Sequence, residues 1–274
     1  MRHILLLTDF SDTANNAINY ALNFFKNQTC HFHILHVHKS GSFILDDLWY
    51  QPNENLYNSI IKDEKANLNT LKDKLYKQNT IESFEFSTIV DYDNFTSAIK
   101  QIINKYPIEL IVTGYNGPSN LIEHFFGSNT IQVIKNIDRP MLIIPEKCRY
   151  KKPENLLLVL NDEEFISDNS YKKLNSIIKN NHLNIHAIRV FEHEKHALKE
   201  KDEIVVLKNN NIVPIKYYQI QDVSLESAIT TYKQIHDIDI ISLFIDNKNR
   251  KNNTLKNVTK STISKRKELP LLIV

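Results

Sequence analysis

A chain of 274 residues has room for one large domain or two ordinary ones. Its 42% hydrophobic and 24% charged residues are ordinary for a globular protein, and a formal net charge of +2 makes no case for nucleic acid or a membrane surface as partner. No apolar run approaches the ~18–20 residues of a bilayer span, no signal-peptide core follows Met1, and two cysteines cannot frame a disulfide scaffold, so a reducing, cytoplasmic setting is expected.

In chain order, Ile4 to Leu7 is a short apolar run, suited to a strand buried on both faces. Ser11 or Asp12 can cap the helix that follows, whose Ala14, Ala17, Ile18, Ala21, Leu22 and Phe25 share one helical face. His33 to Val37 reads as a second strand, Leu56 to Leu75 as a lysine-rich helix, Phe84 to Val90 as a third strand and Phe95 to Asn104 as a third helix. Leu110 to Val112 is the fourth strand, a helix from about Asn129 to Asn136 follows, and Met141 to Ile144 closes the unit. Strands alternating with helices imply a parallel sheet covered on both faces.

Residues 151–274 repeat the plan, with strands at Leu156–Leu160, Asn184–Val190, Ile215–Ile220, Ile238–Phe244 and Leu271–Val274. Ser97-Ala98-Ile99 recurs as Ser227-Ala228-Ile229, and Pro140 as Pro270, both at an offset of 130. A tandem duplication is the expected organisation, with domains 1–146 and 151–274 and a linker at Glu146–Glu154.

Glycine is scarce: four in the chain, three of them (Gly114, Gly117 and Gly127) within fourteen residues. In an open parallel sheet, ligands settle at the carboxyl ends of strands where the strand order reverses, and Gly114 falls at such an end. Gly114 and Gly117 would let backbone amides approach a phosphate, and Gly127-Ser128-Asn129-Thr130 opens a helix whose free amides favour an anion. Taken singly, each pair is also ordinary turn and cap chemistry.

The spacing Gly-x2-Gly-x9-Gly-Ser resembles the nucleotide-binding motif of the universal stress protein family, which follows the fourth strand of a five-stranded α/β fold. Leu7-Thr8-Asp9-Phe10-Ser11 is similar to the family's first-strand signature, with Leu7 where Pro is usual, and His36-Val37 is similar to its second-strand end. The resemblance implies two doubly wound α/β domains, each with a five-stranded parallel sheet of order 3-2-1-4-5. It also implies an adenine nucleotide (ATP, or ADP or AMP, with Mg²⁺ as an optional companion). Asp9 would sit by ribose or adenine and Val37 would meet adenine through its backbone; Gly114, Gly117, Gly127 and Ser128 would hold phosphates, with Asn129 and Thr130 as further contacts. Family domains commonly pair through their fifth strands, so an intramolecular pseudo-dimer is expected, with room for a further homodimer.

The second half lacks the loop: Gly114, Gly117, Gly127 and Ser128 correspond to Phe244, Asn247, Asn257 and Val258, and Asp9 to Asn161. A binding protein is expected rather than a catalyst. A slow ATP hydrolase using Asp9 or Glu123 is the enzymatic alternative, and a nucleotide-free interaction module the other.

The run His31 to His38 carries four histidines, two on each strand face, with no Cys, Asp or Glu alongside at zinc-like spacing. They are read as strand-end and core residues, and no metal site is expected. His193-Glu194-Lys195-His196 falls one residue short of a zinc-protease signature.

Overall fold

Each apolar run bounded by polar residues becomes a strand that disappears into a sheet, and each 3.6-periodic stretch a helix laid over it. The computed structural model describes residues 1–38, 54–115, 128–160, 168–191, 215–244 and 269–274. In the first half these are β1 (Arg2–Leu7), α1 (Asp12–Phe24), β2 (Cys30–Val37), α2 (Glu54–Gln78), β3 (Phe84–Asp91), α3 (Phe95–Lys105), β4 (Ile108–Tyr115), α4 (Ser128–Asn136) and β5 (Met141–Pro145). The second half follows with β6 (Asn155–Leu160), α5 (Asp168–Ile178), β7 (Asn184–Phe191), β8 (Ile215–Gln221), α6 (Leu225–Ile235), β9 (Ile240–Leu243) and β10 (Leu271–Ile273).

The strand order is β3-β2-β1-β4-β5 in one half and β8-β7-β6-β9-β10 in the other, the doubly wound order twice over. Within each half all pairings are parallel. The arrangement differs in one detail from two separate five-stranded sheets: β10 pairs antiparallel with β5, Leu272 opposite Leu142, so the strands form one ten-stranded sheet. Both short strands are buried along this seam, where each removes the other's open edge.

Alternation along β1 sends Ile4 and Leu6 to one face and Leu5 and Leu7 to the other, and the two core clusters divide accordingly. The first cluster holds α1, with Leu68 and Leu75 of α2; the second holds Ala98, Ile99 and Ile102 of α3 and Val133 and Ile134 of α4. Ser11 caps α1 by accepting from the Ala14 amide at 3.2 Å, while Asn94 and Ser224 cap α3 and α6 in the same way. The strand β9 is shorter than its apolar run, because Ile238 and Phe244 are buried without continuing the ladder. The segment between β5 and β6 is anchored by Asp239, which accepts from the amides of Glu154 (2.8 Å) and Asn155 (3.1 Å).

Candidate functional site

The strand order reverses at β1, flanked by β2 on one side and β4 on the other, and the crevice at the carboxyl ends of these strands is where this fold receives ligands. Leu7 is the last residue of β1 and is buried opposite Leu35 of β2. The next amide, Thr8, donates to the Leu35 carbonyl at 2.9 Å. Thr8 is itself buried, and its hydroxyl accepts from the Phe10 amide at 3.0 Å. Phe10 takes a left-handed backbone (φ 64°), a conformation costly for a residue with a Cβ; it lays its ring against His36 at 4.6 Å.

Asp9 lies within this turn and accepts from the Ser11 amide at 3.0 Å. Partial burial pushes its carboxyl up, but hydrogen bonds from Ser11 and from its own amide, with a smaller electrostatic contribution from His36, outweigh this and the net direction is down. Asp9 is therefore an anion at neutral pH, an acceptor for hydroxyl or amino groups and a poor neighbour for phosphate. Val37 closes β2 on the opposite sheet face from His36, packed against the second core cluster.

Gly114 of β4 has a packing role that the sequence did not reveal. A Cβ built there would meet the Thr13 carbonyl oxygen at 2.6 Å, its carbon at 2.8 Å and its Cγ2 at 2.8 Å. The missing side chain thus makes room for the first turn of α1, whose small Ala14, Ala17 and Ala21 let the helix lie close along β4 and β5. In the second half α5 buries Tyr171, Leu174, Ile177 and Ile178, and Phe244 joins the same core cluster.

Of the other site residues expected from sequence, Thr130 is half-buried in the first turn of α4, and Ser128 and Asn129 start that helix. The Ser128 and Asn129 side chains lie outside the described part of the chain, as do Gly117, Glu123, Gly127, Asn161, Asn247, Asn257, Val258 and His193–His196.

The histidines sort by face as alternation requires. His31 and His33 are joined by His3 of β1 in a stack, with His31–His33 centroids 4.2 Å apart and His3–His33 5.3 Å apart. Burial, with smaller contributions from His31 and His3, pushes His33 down to about 4, so it is a neutral core imidazole. On the opposite face His36 and His38 meet Glu64 of α2, an acid 26 residues beyond His38 that sequence proximity does not supply. A cleft of about 660 Å³ opens at the far, amino ends of the strands, lined by Arg2, Thr29, Tyr150, Lys152 and His182 among others, away from the crevice. The Arg2 guanidinium there already binds Glu109, Gln28 and the Ser176 carbonyl. Among the described residues no helix is long and apolar enough to cross a membrane.

A fold of this kind recurs in known structures. A universal stress protein from Archaeoglobus fulgidus superposes with a TM-score of 0.71 at 13% identity, over 99% of this chain and 97% of that one. A candidate universal stress protein from Pseudomonas aeruginosa gives 0.64 at 11%, over 100% and 93%. A functionally unknown protein from the same organism gives 0.59 at 13%, over 100% and 92%. At such identities the likeness speaks for the fold alone. No curated protein sequence matches the chain. The sequence model of the universal stress protein family matches residues 1–145. That match covers more than half of the 274 residues, and on it the chain belongs to the universal stress protein family.

Proposed function

We propose that residues 1–146 bind ATP, or ADP or AMP, with Mg²⁺ on the phosphates, and that residues 151–274 are a duplicated copy that binds no nucleotide. The observation that carries this reading is the convergence of Asp9, Val37 and Gly114 at adjacent strand ends flanking the reversal of strand order. An ionised Asp9 suits the ribose hydroxyls or the adenine amino group and would turn the phosphates away, toward the amino end of α4 at Ser128. Gly117, Gly127, Ser128, Asn129 and Thr130 are assigned there by the family motif. Phe244 in the second half would fill the corresponding place with an apolar ring.

The role that follows is a cytoplasmic stress-response sensor or regulator whose protein surface changes with nucleotide occupancy, rather than a catalyst. Asp9, just beyond β1, is already held by the Ser11 amide as a hydrogen-bond acceptor rather than aimed as a base at a γ-phosphate.

Calorimetric titration of the nucleotide-stripped full chain with ATP and Mg²⁺, with GTP as control, tests this reading. One adenine-selective site per chain, lost in Gly117→Val and weakened in Asp9→Asn, is the expected result. Two sites would overturn the assignment of the second half. Failure of ATP, ADP and AMP to bind would overturn the whole reading in favour of an interaction module, and steady phosphate release would make the protein a hydrolase.

A further inference from the structure

We propose that His36, His38 and Glu64 form a binding site for one divalent transition-metal ion of the zinc class, at the outer end of β2. The inference is independent of nucleotide binding, since none of the three is among the residues assigned to the nucleotide.

The geometry starts from tautomers. His36 Nδ1 lies 2.9 Å from the Thr8 carbonyl oxygen, which can only accept, so this nitrogen carries the hydrogen. In the neutral ring Nε2 then presents a lone pair, and it faces Glu64 Oε1 at 3.4 Å. Two acceptors point at each other, and only a positive centre between them relieves the contact. His38 Nδ1 meets the same carboxylate oxygen from a second direction. A tetrahedral zinc, with ligand bonds of about 2.0–2.1 Å, holds its donor atoms about 3.3 Å apart, close to the His36–Glu64 spacing, while His38 Nδ1, in direct contact with Oε1, must draw back to admit the ion.

The surroundings have the second layer that metal ligands require. The Thr8 carbonyl fixes the His36 ring, and Phe10 in its strained conformation covers it. The Tyr92 hydroxyl donates to Glu64 Oε2 at 3.2 Å, turning Oε1 toward the imidazoles. The Glu64 and His36 side chains are each 13% exposed and His38 24%, so the carboxylate is largely shielded while one side stays open to solvent. Two imidazoles and one carboxylate suit zinc and its neighbours rather than calcium or magnesium. Three protein ligands leave a coordination position for water or an incoming donor.

The second histidine group does not qualify. The His3, His31 and His33 rings are within 28° of parallel, and imidazole lone pairs lie in the ring plane, so those of stacked rings cannot converge on one ion. His33 is moreover held by the Ser87 hydroxyl at 2.8 Å and by His3 at 3.0 Å.

The test uses the full chain stripped with a chelator, without nucleotide, titrated with zinc chloride and checked by elemental analysis after gel filtration. One zinc per chain is expected. Glu64→Gln and His38→Asn should each lower the affinity by about 100-fold or more, and Tyr92→Phe by about tenfold. His31→Asn should leave zinc binding unchanged. The cobalt-loaded protein should show the visible absorption bands of a four-coordinate ion, lost in Glu64→Gln. Melting of each variant in chelator establishes that it folds. Absence of zinc from the wild type, or equal affinity in folded Glu64→Gln and His38→Asn, would overturn the proposal and leave a proton as what joins His36 to Glu64.

Discussion

Gly114→Ala adds one methyl group at the tightest place between α1 and the sheet. Its three nearest contacts, at 2.6, 2.8 and 2.8 Å, all belong to Thr13, and two of them are backbone atoms that no rotamer change can move. To restore an ordinary separation of 3.4 Å, the first turn of α1 must retreat by about 0.8 Å. Overpacking of this kind costs about 1–3 kcal/mol, whereas a harmless Gly→Ala change gains ~0.4–1 kcal/mol through the unfolded chain. The net loss is about 1–2 kcal/mol, which lowers the melting temperature by roughly 2–8 °C for a unit of this size. Thermal melts and urea titrations with an unchanged slope would read it. Adding Thr13→Ser should recover less than half of the loss, because it removes the Cγ2 contact and leaves the backbone clash. A Gly114→Ala protein as stable as the wild type would refute the packing argument. Because the change displaces the turn that carries Asp9, nucleotide binding by this variant cannot separate folding from recognition, whereas Gly117→Val and Asp9→Asn can.

The His33 imidazole, buried and held down to about 4 against an ordinary 6.5, ties stability to pH. Its folded-state proton affinity is the lower one, so its contribution is complete above pH 6.5 and is lost as pH falls from there through 4. Unfolding free energies from urea titrations at pH 7.5 and 4.5 should differ more in the wild type than in His33→Gln, by on the order of 2 kcal/mol; equal differences would remove His33 from the account. Asp239→Ala leaves the Glu154 and Asn155 amides without their acceptor and should cost about 2–3 kcal/mol in urea titrations, with Asp239→Asn milder because its amide oxygen still accepts.

The sequence by itself determined the alternation of strands and helices, the repeated plan and the family. These rest on local patterns: apolar runs such as Leu156–Leu160 declare buried strands, and Ala14, Ala17, Ile18 and Ala21 declare one face of a helix. Local pattern also put His36 and His38 on one face and His31 and His33 on the other. The tertiary structure decided what faces what. Met141–Pro145 and Leu271–Ile273 are apolar runs that any edge could pair, and only the assembled chain sets them antiparallel in one ten-stranded sheet. Gly114 carries no mark that its absent side chain answers the Thr13 carbonyl about a hundred residues earlier. Glu64 is one charge among many on a lysine-rich helix until α2 lies across β2 and carries it to His36 and His38. A side chain's periodicity is fixed by its neighbours in the chain, whereas its partners are fixed by how whole elements pack.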